Sequence, residues 1–392
     1  MKDSLFLAVQ YLKFHRIRSA VLISSISIIL FLPIGLKKLV NESERLMLDR
    51  AKATPLIIGK KGSPTDLVIN TLYFQQEKID ALTMKKVYEL NTVGFGSCIP
   101  IFSAFKARNY PIVGTDLDYF EFREILIEDG RFMSILGECV IGSNVAKSLN
   151  LTAGDSLISS PGSLFDFAGV YPLKMNITGV LAPTESPDDN AIFTDLKTTW
   201  VIMGLGHGHQ DLQLIDDPTI VLSRNDSVVT AGAKLFMYNE ISNQNMQSFH
   251  FHGNKSEYPI TSIIFVPEDV KSETILRGRF ESGEILDQAV VPSFVVENLF
   301  SNIFKMQQVF DSVFIAVGFA TALIFALIVT LGIRLRQAEI NTMFTIGSSR
   351  TKVFEVIFFE LLMMIGASGV ITLIMYKLTD LYVQDFIYRF II

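Results

Sequence analysis

The chain is poor in the residues from which most chemical sites are built. Its 392 residues include two cysteines, five histidines and one tryptophan. Cys98 and Cys139 form no zinc-ligand spacing. In an oxidising compartment they allow one disulfide; the plainer alternative is two small buried side chains. Positive charge is not in excess. The net charge is −6 and the pI is near 5.5, so no basic field exists to hold nucleic-acid phosphates. The H-E-x-x-H and G-x-S-x-G patterns are absent, which leaves no hydrolase constellation to argue from. Residues 204–208 (GLGHG) imitate a nucleotide loop but follow an expected helix where a strand is needed. Residues 142–148 (GSNVAKS) imitate a phosphate loop without its second glycine, and read as a helix start. The mean hydropathy of +0.38 is too high for an ordinary soluble protein and too low for a polytopic bundle.

What is present is three long apolar runs. Residues 1–16 are polar and cationic. Residues 17–36 are apolar over about 20 positions, enough to cross roughly 30 Å of hydrocarbon as a helix. Residues 309–333 and 353–376 are the second and third runs. Lys and Arg gather at the start of the chain (Lys2, Lys13, Arg16, Arg18) and between the second and third runs (Arg334, Arg336, Arg350, Lys352). The positive-inside rule places both stretches on the cytoplasmic side, with residues 37–308 outside. Residues 377–392 are too short and too charged for a further crossing, and read as an external or interfacial tail. The expected fold is an α-helical membrane protein of three transmembrane helices, with a large α+β domain inserted between the first and second.

Inside that domain, short strands are expected at residues 56–60, 66–70, 99–105, 110–114, 156–159, 174–181, 218–223 and 259–267. Helices are expected at 78–90, 143–150, 194–203 (capped by Thr194 or Asp195) and 272–281. Residues 288–308 read as a helix running into the second span. Two H-x-H pairs stand out, His207 with His209 and His250 with His252. On a strand the two members of a pair share a face, so meeting pairs would offer four imidazoles to zinc. The acidic pairs Asp188-Asp189 and Asp216-Asp217 read as solvated turns. Glu360 lies inside the third run, where a carboxylate needs a partner or water.

The stretch 334–352 carries a resemblance. Glu339-Ile340 followed by Ile346-Gly347-Ser348-Ser349-Arg350 is similar to the E-I-x(n)-G-A-S-R loop of the FtsX-like, MacB-like permeases of ABC transporters, with Ser348 for the usual alanine. Phe358-Phe359-Glu360-Leu361-Leu362 resembles that family's F-L-x-E-x-L. Residues 55–71 (PLIIGKKGSPTDLVINT), 112–116 (IVGTD) and 179–184 (GVLAPT) resemble the periplasmic domain of a DevC-like subgroup. The resemblance implies a permease subunit of a bacterial inner membrane that does not hydrolyse ATP and holds no cofactor. ATP and magnesium would sit on a separate cytoplasmic ATPase. A second permease copy, a periplasmic adaptor or membrane-fusion protein, and lipids would be its other partners. Residues 334–352 would form the coupling loop, with Arg336, Glu339, Ile340, Gly347, Ser348, Ser349 and Arg350 at the ATPase contact. Motion would pass to the periplasmic side by mechanotransmission. The family has a fourth span, and none follows Tyr376 here. Two alternatives stand beside this: a non-transporting signalling scaffold acting on a periplasmic partner, and a metal-linked transporter using the H-x-H pairs.

Overall fold

The computed structural model describes residues 2–76, 79–160, 172–208, 221–225, 228–231, 239–242, 245–282 and 286–390. The chain divides into two units, Met1–Met47 with Asn298–Ile391, and Leu48–Glu297. It opens with helices α1 (Lys2–Phe14) and α2 (Arg16–Lys52). The second unit continues with β1 (Leu56–Lys60), α3 (Pro64–Tyr73), α4 (Met84–Val93), β2 (Gly96–Ala107) and β3 (Tyr110–Thr115). Then come α5 (Asp118–Phe122), β4 (Glu138–Ile141), α6 (Ser143–Leu149), β5 (Leu173–Leu181), β6 (Ile192–Asp195) and α7 (Leu196–Ile202). It closes with β7 (Ser262–Pro267), α8 (Val270–Glu281) and β8 (Asp287–Val290). The first unit resumes with α9 (Pro292–Leu335), α10 (Gln337–Thr345) and α11 (Arg350–Phe390).

The strands form one mixed sheet in the order β5-β4-β6-β3-β2-β7-β1-β8. The β3/β6 and β4/β5 pairs are parallel and the others antiparallel. Side chains alternate across a strand, so neighbours in sequence enter different cores. On β7, Ile263 and Phe265 join one apolar cluster with Leu56, Ile58, Trp200 and Leu276, while Ile264 joins another with Tyr119 and Phe193. On β4, Val140 faces that second cluster and Cys139 and Ile141 face a third. Burial on both faces explains why these strands read as continuous apolar runs, without the polar alternation of a one-sided sheet.

Several expectations are corrected here. Residues 66–70 belong to helix α3, not a strand. Ser63 caps it by accepting the Asp66 amide at 3.2 Å, and Pro64 occupies the first turn, where no amide donor is needed. The helix expected at 78–90 begins only at Met84; before it, Leu82–Thr83 pairs as a strand with Pro259–Ile260. Residues 77–78 lie outside the described residues, as do 218–220 and Asp216-Asp217; Val221–Asn225 is a strand. The short strand β4 carries no expectation from the sequence, and β6 takes Thr194 and Asp195, which the helix expected at 194–203 included; that helix begins at Leu196. The α7 cap is Asp195, which accepts the Thr198 amide at 3.1 Å. Cys98 and Cys139 are both free and buried. They lie on β2 and β4, with β3 and β6 between, so at about 4.8 Å per strand they stand at least about 14 Å apart, and the register offsets them further along the strands, beyond disulfide reach.

In the helical unit, α2, α9 and α11 are long and apolar enough to cross a membrane, as a membrane protein requires. Their 37, 44 and 41 residues exceed the roughly 20 that a bilayer needs. Residues 377–390 continue α11 without a break, where the sequence reading placed a separate tail. α2 and α11 run parallel along a seam of small hydroxyl residues. Ser27 Oγ donates to the Ser368 carbonyl at 3.2 Å, Ser368 Oγ to the Ile23 carbonyl at 3.2 Å, and Thr372 Oγ1 to the Ser27 carbonyl at 3.3 Å. Ser27 and Ser368 are buried, which lets the two backbones approach closely. Further along, Lys38 pairs with Asp380 at 2.6 Å, and Gln384 donates to Glu42 at 3.3 Å.

Candidate functional site

The stretch first read as a loop is a helix–turn–helix with both ends of the turn capped. α10 closes in a Schellman turn: the Ser348 amide donates to the Met343 carbonyl at 2.9 Å, and the Gly347 amide to the Phe344 carbonyl at 3.0 Å. Gly347 sits at φ 93°, a left-handed conformation that a side chain would strain. Ser349 then opens α11, its Oγ accepting the Lys352 amide at 3.3 Å. Of the residues assigned to this contact, Gly347, Ser349 and Arg350 are exposed, while Ile340 and Ser348 are half-buried. Glu339 lies on α10; its side chain is outside the described residues. Two apolar side chains the sequence reading did not single out are exposed at the turn, Phe344 at 39% and Ile346 at 79%.

Arg336 departs from the expectation of an outward contact. It turns inward and meets Glu360, Nη1 donating to Oε2 at 2.9 Å. Its guanidinium also lies over the Tyr11 ring, 3.3 Å from the centroid. Glu360 is 8% exposed, so the carboxylate buried in the third apolar run has a named partner. Two residues assigned to separate roles thus form one ion pair joining α11 to the end of α9.

A second constellation lies in the α/β unit. Arg50, on the last turn of α2, donates from Nη1 to Asp188 Oδ2 at 2.7 Å and from Nη2 to Asp188 Oδ1 at 3.0 Å. Its Nε donates to the Leu72 carbonyl at 2.6 Å, and its Nη2 also to the Tyr119 hydroxyl at 2.9 Å. Tyr119 in turn donates to Asp188 at 2.6 Å. Every member is buried: Asp188 is 1% exposed and Tyr119 is fully enclosed. Burial alone would favour the neutral acid, but the charge and hydrogen bonds of Arg50, with Arg123 and Tyr119, hold Asp188 down at about 2. Burial, and then the Asp188 charge, push the Tyr119 phenol up. Burial, and then the neighbouring Arg50 charge, draw Arg123 down. Asp189, 4% exposed, accepts the Thr184 and Glu185 amides at 2.9 and 2.8 Å. The Asp188-Asp189 pair is therefore not a solvated turn. Its clue in the sequence was Ser186-Pro187, which starts the 3-10 turn Pro187–Asn190, with Ser186 accepting the Asp188 amide.

Strand pairing sets His207 opposite His250, and the His250 and His252 rings meet edge to face at 4.5 Å. His209 lies outside the described residues. Among the described residues, no group of three or more His, Cys, Asp or Glu side chains is gathered as a metal site.

No protein-family model matches the chain, and no curated protein is similar to it in sequence. Solved structures are similar to its course. The periplasmic region of MacB from Actinobacillus actinomycetemcomitans is 12% identical over 63% of this chain and 93% of that one, with a TM-score of 0.36. The extracellular domain of the noncanonic ABC-type transporter YknZ from Gram-positive bacteria is 9% identical over 60% of this chain and 98% of that one, with a TM-score of 0.32. Likeness at this level assigns no function.

Proposed function

We propose that this chain is the membrane subunit of an ABC-type transporter, with its α/β domain outside and a separate cytoplasmic ATPase seated on the turn around α10. The observation that carries the reading is Ile346, 79% exposed between two capped helix ends and beside exposed Phe344. A turn fixed at both ends moves as a body, and exposed apolar side chains at its tip suit insertion into a groove on a partner. The Lys and Arg bias of the sequence supports a cytoplasmic side for this turn. Under this reading the chain binds no nucleotide. Motion received at α10 passes along the long helices, and Arg50 fastens the end of α2 into the α/β core. Work on cargo or partners at the outer side follows, in a bacterial inner membrane and with a second permease copy.

The test is co-purification. The tagged full chain, extracted from its native membrane, is expected to bring down ATP hydrolysis. Ile346→Asp is expected to reduce that activity about tenfold, the loss of roughly 1.4 kcal/mol of contact. Undiminished activity with Ile346→Asp would remove α10 as the docking site.

A further inference from the structure

The beginning of α2, the end of α9 and the first turns of α11 enclose a recess that the coupling reading does not use. Arg18, Gly332, Arg336 and Glu360 line it, with Leu22 and Met364 among its apolar walls. It is shallow and open: the cavity volume behind its mouth is about 20 Å³, so a ligand would meet the guanidiniums at the mouth. The charges do not balance: two guanidiniums face one carboxylate. Arg336 is committed to Glu360 at 2.9 Å. Arg18 instead donates to a backbone oxygen, the Ile328 carbonyl, at 3.2 Å, and has no carboxylate partner among the described residues. Its position is built. A Cβ on residue 332 would stand 2.5 Å from Arg18 Nη2, so Gly332 is what lets the guanidinium lie against α9.

We infer that this recess binds the phosphate head group of an anionic phospholipid. The half-buried guanidinium of Arg18 has donors to spare, and a phosphate takes such donors in pairs. From the recess, the exposed apolar residues Leu331, Leu327, Ile324 and Leu323 run back along α9, a surface suited to acyl chains. Basic recesses between membrane helices on the cytoplasmic side hold anionic head groups in this way. The inference rests on the membrane reading and not on the ATPase contact, so either can fail alone.

The experiment counts bound lipids by native mass spectrometry on the delipidated full chain, offered phosphatidylglycerol or phosphatidylcholine. The wild type is expected to retain phosphatidylglycerol with about tenfold preference, from one charge-assisted contact. Arg18→Gln is expected to abolish the preference and Arg18→Lys to weaken it. Arg16→Gln, at an exposed neighbouring position, is expected to keep it. Equal retention of both lipids by the wild type, or an unchanged preference in Arg18→Gln, would overturn the site. Inorganic phosphate at millimolar concentration is expected not to compete. Competition would assign the recess to free phosphate and overturn the lipid source. Should Arg18→Gln lose its fold, Gly332→Ala displaces the same guanidinium with its charge intact, and is expected to lose the preference as well.

Discussion

The two units bury opposite things. The α/β unit encloses its apolar strands and, among them, a complete ion pair: Arg50 and Asp188 have side chains 8% and 2% exposed. The helical unit buries serine and threonine in its seam and leaves most of its large apolar residues outside, Met364, Val383 and Ile387 being among those it encloses. In the most apolar stretch of α9 no residue is buried within the chain, and Phe319, Leu323 and Leu327 are each more than half exposed. One rule covers both patterns if the solvents differ. In water, apolar surface is driven inward and a charge follows only when it is paired. In hydrocarbon, that drive between helices vanishes, and close packing with interhelical hydrogen bonds takes over. Buried polar groups of the helical unit find backbone carbonyls or one another, as Ser368 and the Arg336–Glu360 pair do, with Ser43 Oγ an exception that has no hydrogen-bond partner among the described residues.

The contrast can be broken most sharply at Arg50. Arg50→Met leaves a buried carboxylate unpaired and is expected to destabilise the α/β unit by about 3–5 kcal/mol. The double variant with Asp188→Leu is expected to recover most of that loss. The reporter is built in: the one tryptophan, Trp200, is 5% exposed in this unit, so denaturant unfolding followed by its fluorescence reads this unit. Equal stability of the single and double variants would show that the network is not a charge pair in energetic terms. The sign with pH follows from the depressed carboxyl. The Asp188 contribution is present above its unfolded value near 4 and is lost as pH falls through about 2.

A smaller effect is expected at the seam of the helical unit. Ser368→Leu should separate α2 from α11, and Ser368→Ala should cost only about 0.6 kcal/mol, the typical worth of one such hydrogen bond in a membrane. Crosslinking between cysteines placed at exposed positions 24 and 365 reads the separation. If Ser368→Leu crosslinks as well as the wild type, close backbone approach is not what holds the pair.

The smallest effect is expected at Asp116. Burial, with the neighbouring Asp118, pushes its carboxyl up to about 6, and its Oδ1 has no hydrogen-bond partner. A raised acid opposes the folded state once ionised, so stability falls as pH rises from about 4 to about 6. Asp116→Asn should stabilise the unit by on the order of 1 kcal/mol at pH 7, after allowance for solvent screening, and flatten that dependence. The Trp200 unfolding curve at pH 5 and pH 7 measures both.

The apolar runs, the mixed strands and helices between them and the α10 stretch could be read along the chain because each is a local pattern. Leu56–Lys60 and Tyr110–Thr115 were legible by composition, and Gly347 by its place at a helix end. The apolar residues of α3 suit a strand as well as a helix, and only the Ser63-Pro64 cap marks the segment as helical. Arg50, Tyr119 and Asp188 could not be found this way. They lie 69 residues apart, and each resembles a surface residue among its neighbours in sequence. Arg336 read as an outward charge because nothing local shows the carboxylate 24 residues on that turns it inward.

The sequence by itself determined which stretches are long and apolar enough to cross a membrane, where along the chain its basic residues gather, and that mixed strands and helices lie between the first two of those stretches. Hydropathy and charge act position by position, so these survive without knowledge of contacts. Tertiary structure alone decided that Asp188 is a buried anchor, that Arg336 and Glu360 form one pair, that Cys98 and Cys139 stand apart, and that Arg18 is left with donors to spare. Each is settled by which distant residue arrives beside it, and burial then multiplies the energetic consequence of that arrival.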